Sequence, residues 1–303
     1  MTGDGDGPFA DLTEECLREA FDATDYVAED NIITTVLLSL RMGRPLLVEG
    51  EPGTGKTELA KVLAAGFDAE LVRLQCYEGL TAENALYEWN YAKQLLALQS
   101  AAATDEGSVF TEEYLLERPL LCALSESDGR GPPPVLLVDE VDRADEAFEA
   151  LLLELLSDFQ VSVPEFGTVA AAEPPVVVIT SNRTRVLSNA LKRRCLYLHI
   201  DPPSLKKERA IVRRRVPELE TAVADRLCRA VQRLREEPLR KRPGVAETVD
   251  WARAMSKLDI GASEPLSPDR IRRTIGCLLK EAEDVERVDG SLFEALADAA
   301  DGE

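Results

Sequence analysis

The feature that most constrains this chain is the run Gly50-Glu51-Pro52-Gly53-Thr54-Gly55-Lys56-Thr57, which fits G-x-x-x-x-G-K-[ST] at every position. Glycine tolerates backbone conformations that other residues resist. A loop spaced this way can therefore fold around an anion with its N–H groups pointing inward. The flanks are what such a loop needs. Leu46-Leu47-Val48 before it has the pattern of a short buried strand, and residues 58–65 after it carry apolar side chains on one helical face. A glycine-rich loop arising by chance would lack both. Gly50 through Thr57, with Glu58 behind them, are the candidate nucleotide-binding residues. The Lys56 amine can reach β- and γ-phosphates, and the Thr57 hydroxyl is a candidate Mg2+ ligand.

A phosphate loop alone serves kinases and hydrolases alike. A second element narrows the choice. Val135-Leu136-Leu137-Val138 is a continuous apolar run that delivers Asp139 and Glu140 at its C-terminal end, the end at which α/β sheets bind ligands. Asp139 suits Mg2+, directly or through water. Glu140 suits orienting and deprotonating an attacking water, which favours hydrolysis over transfer to a small molecule. A third apolar run, residues 176–179, ends in Thr180-Ser181-Asn182. If it lies beside the 135–138 strand, Asn182 falls near the γ-phosphate and can hold the water with Glu140. Read alone, an Asn after a strand is a common turn residue. A fourth element, Leu191-Lys192-Arg193-Arg194-Cys195, precedes the last strand pattern at 196–200. It reads either as a solvated basic helix end or as the source of an arginine that neutralises charge on the γ-phosphate.

The rest of the chain sets limits. Its 303 residues, 45% hydrophobic, suffice for a sizeable core plus a smaller domain. The longest apolar runs are too short to cross a bilayer, and the Gly- and Asp-rich start lacks the basic-then-apolar pattern of an export signal; the expectation is a cytoplasmic protein. Cys16, Cys76, Cys122, Cys195, Cys228 and Cys277 show no metal or redox spacing and are expected to be reduced and packed. His199 is the single histidine, which excludes histidine-cluster metal sites. A net charge of −21 repels membranes and nucleic-acid backbones, so a DNA-associated role is disfavoured.

The patterns alternate between strands and helices up to Asp201-Pro202-Pro203 and are helical beyond it. The expected domains are an acidic, flexible start at 1–13, an α/β nucleotide-binding domain at 14–202 and an all-α domain at 203–303. Residues 159–163 and 168–170 read as a hairpin. The stretch 77–90, holding Tyr77, Tyr87 and Trp89, reads equally as an amphipathic helix with core aromatics or as an insertion presented to a partner.

In this order, the four elements resemble the AAA+ ATPases. The strings GEPGTGKTELA, LLVDEVDRAD, TSNRTR and LKRRC resemble the MoxR group. QCYEGL, ALYEWNYAKQLL, SDFQVSVPEFGTV and RPGVAETVDWARA are most similar to its branch for carbon-monoxide-dehydrogenase maturation. The resemblance implies a P-loop AAA+ module, a central parallel sheet flanked by helices, followed by a smaller all-α lid. It implies Mg2+-dependent ATP hydrolysis. Lys56 and Thr57 become the Walker A residues, Asp139 and Glu140 Walker B, and Asn182 the sensor-1 residue. Arg194, with Arg193 as the fallback, becomes the arginine finger that completes a neighbour's site in a hexameric ring. The hairpin resembles the insertion preceding sensor 1, and the 77–91 stretch an insert facing the pore or a partner, which favours a functional reading of Trp89. Members of the group commonly work with a separate von Willebrand factor A-domain protein to mature a client metalloenzyme, acting as chaperones. One departure stands out. Relatives carry a sensor-2 arginine after a proline, whereas Pro243 here is followed by Gly244; Arg242 or Arg253 are the nearest substitutes.

Overall fold

The computed structural model describes residues 8–101, 110–125, 131–164, 166–258, 261 and 264–302. Its centre is a five-stranded parallel sheet. In chain order the strands, with two short antiparallel pairs between them, are β1 (Leu46–Glu49), β2 (Leu71–Gln75), β3 (Tyr87–Trp89), β4 (Leu115–Glu117), β5 (Val135–Asp139), β6 (Gln160–Val163), β7 (Gly167–Ala170), β8 (Val176–Ser181) and β9 (Leu196–His199). The large sheet runs β2-β5-β8-β1-β9; β3 pairs with β4, and β6 with β7 as the expected hairpin.

Sequence dictates which strands are central. β5, β8 and β1 are buried along their whole length, including their polar ends. β-Branched and aliphatic runs of this kind suit a sheet covered on both faces. The edge strand β2, Leu-Val-Arg-Leu-Gln, alternates between buried and exposed, as one-sided burial requires. The helices Lys56–Gly66 and Glu146–Asp158 bury one stripe each. Asp145 caps the second by accepting the Phe148 N–H at 2.9 Å, a contact worth about 1 kcal/mol.

The described residues form two compact units. The first takes those of the described residues that fall within 8–24, 28–49 and 56–199, the second those within 25–27, 50–55 and 200–302. This division differs from the expected borders chiefly in grouping Gly50–Gly55 with the C-terminal helices. A Cβ added at Gly50 would lie 2.3 Å from the Ile200 carbonyl oxygen, and Val245 N–H donates to the Gly53 carbonyl at 3.2 Å. The second unit's helices include Leu205–Arg215, Thr221–Arg235, Val245–Lys257 and Gly290–Asp301, which share one apolar core that contains the fully buried Trp251. At the start of the chain, residues 1–7 lie outside the described part. The Phe9 ring meets the Phe67 ring at a tilt, centroids 5.1 Å apart, and the Leu12 carbonyl accepts Arg41 Nε at 2.9 Å, so residues 9–12 are anchored where a loose start was expected.

The 77–90 stretch is neither a single helix nor an exposed loop. A one-turn helix, Ala82–Ala85, leads into β3. Trp89 is 7% exposed and meets Tyr87 and Phe110 edge-on at 6.2 and 5.2 Å. This corrects the functional reading of Trp89: its ring is core. Within the stretch Tyr77 is exposed, and the following helix, Tyr91–Ala101, exposes Tyr91, Leu95, Leu96 and Leu98.

Candidate nucleotide site

Parallel pairing aligns the C-terminal ends of the strands. Gln75 on β2 faces Asp139 on β5, β5 pairs with β8 through Val138↔Ile179, and Glu49 on β1 faces Ser181 on β8. Because β8 sits between β1 and β5, Asn182 emerges between the strand that leads into the phosphate loop and the strand that ends in the acidic pair.

Asp139 is 3% exposed. Its Oδ1 accepts the hydroxyls of Thr57 at 2.9 Å and Thr180 at 2.6 Å, and its Oδ2 accepts Arg73 Nη2 at 2.6 Å. A buried carboxylate needs such partners, because removing its water costs several kcal/mol. The Thr57 hydroxyl and Asp139 thus present hard oxygen donors side by side, the set that Mg2+ prefers. These two residues would hold the ion.

Glu140 sits in the left-handed region, φ 57° and ψ 49°, a conformation costing a side-chain-bearing residue about 1–2 kcal/mol. Its N–H donates to Thr180 Oγ1 at 2.9 Å, which helps to hold the turn. Its Oε2 accepts Gln75 Nε2 at 3.1 Å and Arg143 Nη1 at 3.2 Å, and its Oε1 accepts Asn182 Nδ2 at 3.2 Å. Each carboxylate oxygen has about two acceptor directions. Among the described residues Oε2 takes two donors and Oε1 only the Asn182 amide. An acceptor and a donor placed side by side can orient one water molecule.

Lys56 opens its helix and is buried. Gly53 and Gly55 have φ of 81° and 92°, the conformations for which the motif needs glycine. The Thr54 hydroxyl braces the loop on the Glu51 carbonyl at 2.9 Å, and Glu58 pairs with Lys61 at 3.4 Å. Close backbone approach accounts for a glycine after Pro243. A Cβ there would approach Gly53 Cα to 2.9 Å, so this arrangement leaves no room for an arginine at that position. Gly244 N–H instead donates to the Glu247 carboxylate at 2.9 Å, closing the first turn of the helix. Arg242 lines a cavity of about 230 Å³ together with Glu51, Pro52, Gly53 and Thr54. Arg253 does not line it and pairs with Asp250 at 3.3 Å.

Arg193 and Arg194 end the helix Asn189–Arg194 with exposed side chains. That helix end is held by Arg44, whose guanidinium donates to the carbonyls of Arg193, Arg194 and Cys195 at 2.6, 3.1 and 3.2 Å. A cation at this position also suits the helix dipole. Neither arginine joins the contacts around Glu140 described above.

Several contributors escaped the sequence reading. Arg73 and Gln75 share one face of β2 by their i, i+2 spacing, but only the register reveals that this face meets Asp139 and Glu140. Thr180 and Asp142 look like ordinary strand-end and loop residues. Asp142 is buried. Desolvation pushes its pKa up, but hydrogen bonds from the Thr184 hydroxyl and from the backbone of Thr184 and Asn182 outweigh this and hold it below the ordinary value. Cys76, beside the acids, is raised to about 12 by burial first and then by Asp139, Asp142 and Glu140; its thiol stays protonated and supplies no nucleophile.

A parallel sheet in this order, a phosphate loop after β1, an acidic pair after β5 and a polar side chain after β8 together define a P-loop AAA+ module. Residues 45–195 match the family described as the AAA domain of the dynein-related subfamily, and this segment is an AAA domain. Over 177 residues the chain is 28% identical to YehL, an uncharacterized protein of Escherichia coli K12; the match takes in 55% of this chain and 44% of YehL, less than half of that relative's length. It is 21% identical over 286 residues to RuvB of Thermotoga petrophila, a Holliday junction branch migration complex subunit, covering 90% of this chain and 73% of RuvB. A solved structure of a Thermotoga maritima RuvB point mutant superposes with a TM-score of 0.50 at 19% identity, over 82% of this chain and 70% of that one. This is a likeness of fold. No helix among the described residues is long and apolar enough to cross a membrane.

Proposed function

We propose that the chain hydrolyses ATP and uses the energy to remodel or mature a client protein, as a MoxR-group ATPase. The observation that supports this most is the pairing of Glu140 Oε1 with Asn182 Nδ2 across β5 and β8, beside the Asp139–Thr57 pair. In this reading the loop N–H groups and the Lys56 amine bind the phosphates. Mg2+, when bound through Thr57 and Asp139, supplies neutralising charge on the β- and γ-phosphate oxygens. Asn182 orients a water, and Glu140 takes its proton as the water oxygen bonds to the γ-phosphorus. The bond from that phosphorus to the β–γ bridging oxygen breaks, and ADP leaves. Arg194, or Arg193 in its place, would reach the γ-phosphate of the next subunit in a hexameric ring. The partner would be a separate von Willebrand factor A-domain protein and the client a metalloenzyme.

Glu140→Gln tests the chemistry. Phosphate release should fall about 10²-fold or more while nucleotide binding persists; normal release would overturn the mechanism. The same variant, held in ATP, should capture a von Willebrand-type protein or a metalloenzyme subunit. Capture of DNA-repair proteins instead would sink the maturation role.

One observation favours a second reading, a DNA-associated motor: the likeness to RuvB extends over 90% of this chain. The charge of −21 opposes it. An ATP-dependent, salt-sensitive shift of branched DNA would favour this reading over the first.

A further inference from the structure

Glu140 and Asn182 stand on different strands, so two groups that share one water need something to set their spacing. Asp142 occupies the place where that can be done. It lies in the turn Val141–Arg143 directly after Glu140, and the turn is closed by Arg143 N–H on the Glu140 carbonyl at 2.9 Å and Ala144 N–H on the Val141 carbonyl at 3.1 Å. Its carboxylate, 3% exposed, is committed to the short segment that follows β8. Oδ1 accepts the N–H of Asn182 itself at 3.1 Å, and Oδ2 accepts the N–H and the hydroxyl of Thr184 at 2.8 and 2.6 Å. Between these two residues, Arg183 is in the left-handed region at φ 60°. Its guanidinium is anchored on the other side, to Glu49 at 2.8 Å and to the Tyr197 hydroxyl at 2.6 Å. Residues 182–184 form a bracket: both ends are fixed to Asp142, in the turn after Glu140, and the middle residue to the strand before the phosphate loop.

We propose that Asp142 is a positioning residue for hydrolysis: it sets the reach of Asn182 toward Glu140 and so governs kcat rather than nucleotide affinity. This rests on the reading that Glu140 and Asn182 hold the attacking water. The competing account is a buried aspartate that merely stitches two loops together. The two differ in where the bonds land. A stitch has no need of the Asn182 amide, and its loss would act through stability whether or not the Asn182 side chain were present.

The test uses the full chain, with single-turnover phosphate release, binding of a fluorescent ATP analogue, and thermal unfolding. Thr184→Val removes one hydroxyl donor at nearly constant volume. Asp142→Asn replaces one of the two acceptor oxygens with an N–H donor. Each is made alone and combined with Asn182→Ala. Ångström-scale misplacement near reacting atoms costs up to about 10²-fold, so kcat should fall about tenfold in Thr184→Val and about a hundredfold in Asp142→Asn, with nucleotide affinity within about threefold of the parent. In the Asn182→Ala background the same changes should alter kcat by less than about twofold, because the group they position is gone. Equal fold losses in both backgrounds, or weakened binding with kcat intact, would overturn the proposal. Should Asp142→Asn fail to fold, Thr184→Val carries the same comparison. If Glu140→Gln or Asn182→Ala hydrolyses normally, the reading beneath the proposal has failed. If both lose activity while the Thr184 and Asp142 variants keep it, this inference alone has failed.

Discussion

Two buried carboxylates, Asp139 in the first unit and Glu208 in the second, have nearly the same partners and opposite prospects. Asp139 accepts an arginine and two threonine hydroxyls. Glu208, fully buried, accepts Arg235 through both oxygens at 2.7 and 2.8 Å, Thr248 at 2.7 Å and Gln232 at 2.8 Å. The arginines differ. The Arg235 side chain is 12% exposed and also donates to the Pro243 carbonyl at 2.7 Å. Arg73 is 49% exposed and makes a single contact to the carboxylate, at 2.6 Å. A sealed two-pronged pair cannot exchange its cation, so Glu208 is a lock between helices. A half-exposed cation can leave, so under the proposed function Asp139 would trade Arg73 for Mg2+. Residue types alone do not separate these cases; the solvent exposure of the partner does.

The comparison can be broken at several strengths. Glu208→Ala strands a buried arginine and should cost about 3–5 kcal/mol of stability, read by urea unfolding; a loss below 1 kcal/mol would deny it the role of a lock. Asp139→Asn should lower phosphate release by about 10²-fold, roughly 2.7 kcal/mol on the barrier, while changing stability by about 1 kcal/mol or less because Arg73 can rehydrate. A large stability loss there would make Asp139 a second lock. Arg73→Gln is the mildest. Freed from an exposed partner, Asp139 should bind Mg2+ about two- to fivefold more tightly, measured as the Mg2+ dependence of fluorescent-nucleotide binding. Weaker Mg2+ binding would mean that Arg73 organises the site instead of competing for it.

Much of the architecture was legible because its signals are local. A continuous apolar run marks a central strand, glycines at fixed offsets mark the loop, and prolines at 202 and 203 fall where strand patterns give way to helices. Those runs matched β1, β5 and β8 to within a residue or two. Beyond Pro203 the helical pattern does not show where one helix ends: the chain breaks at Val216, before Pro217, into Leu205–Arg215 and Thr221–Arg235. The aromatic stretch around Trp89 defeated pattern reading for a different reason. Burial there depends on β4, about 25 residues downstream, and on Phe110, neither of which a local window contains.

By itself the sequence determined that a phosphate loop follows a buried strand, and that two acids and later an asparagine end two more. Those are statements about neighbours along the chain, where propensity and hydrophobic period operate. Only the tertiary structure decided that β8 runs between β1 and β5, and hence that Asn182 bonds to Glu140. It alone placed Arg73 and Gln75 against the acids, turned Asp142 onto the Asn182 amide, and brought Gly244 so close to Gly53 that a side chain has no room. Each of these depends on strand order or on close backbone approach between segments distant in sequence, and such contacts exist only once the chain has packed.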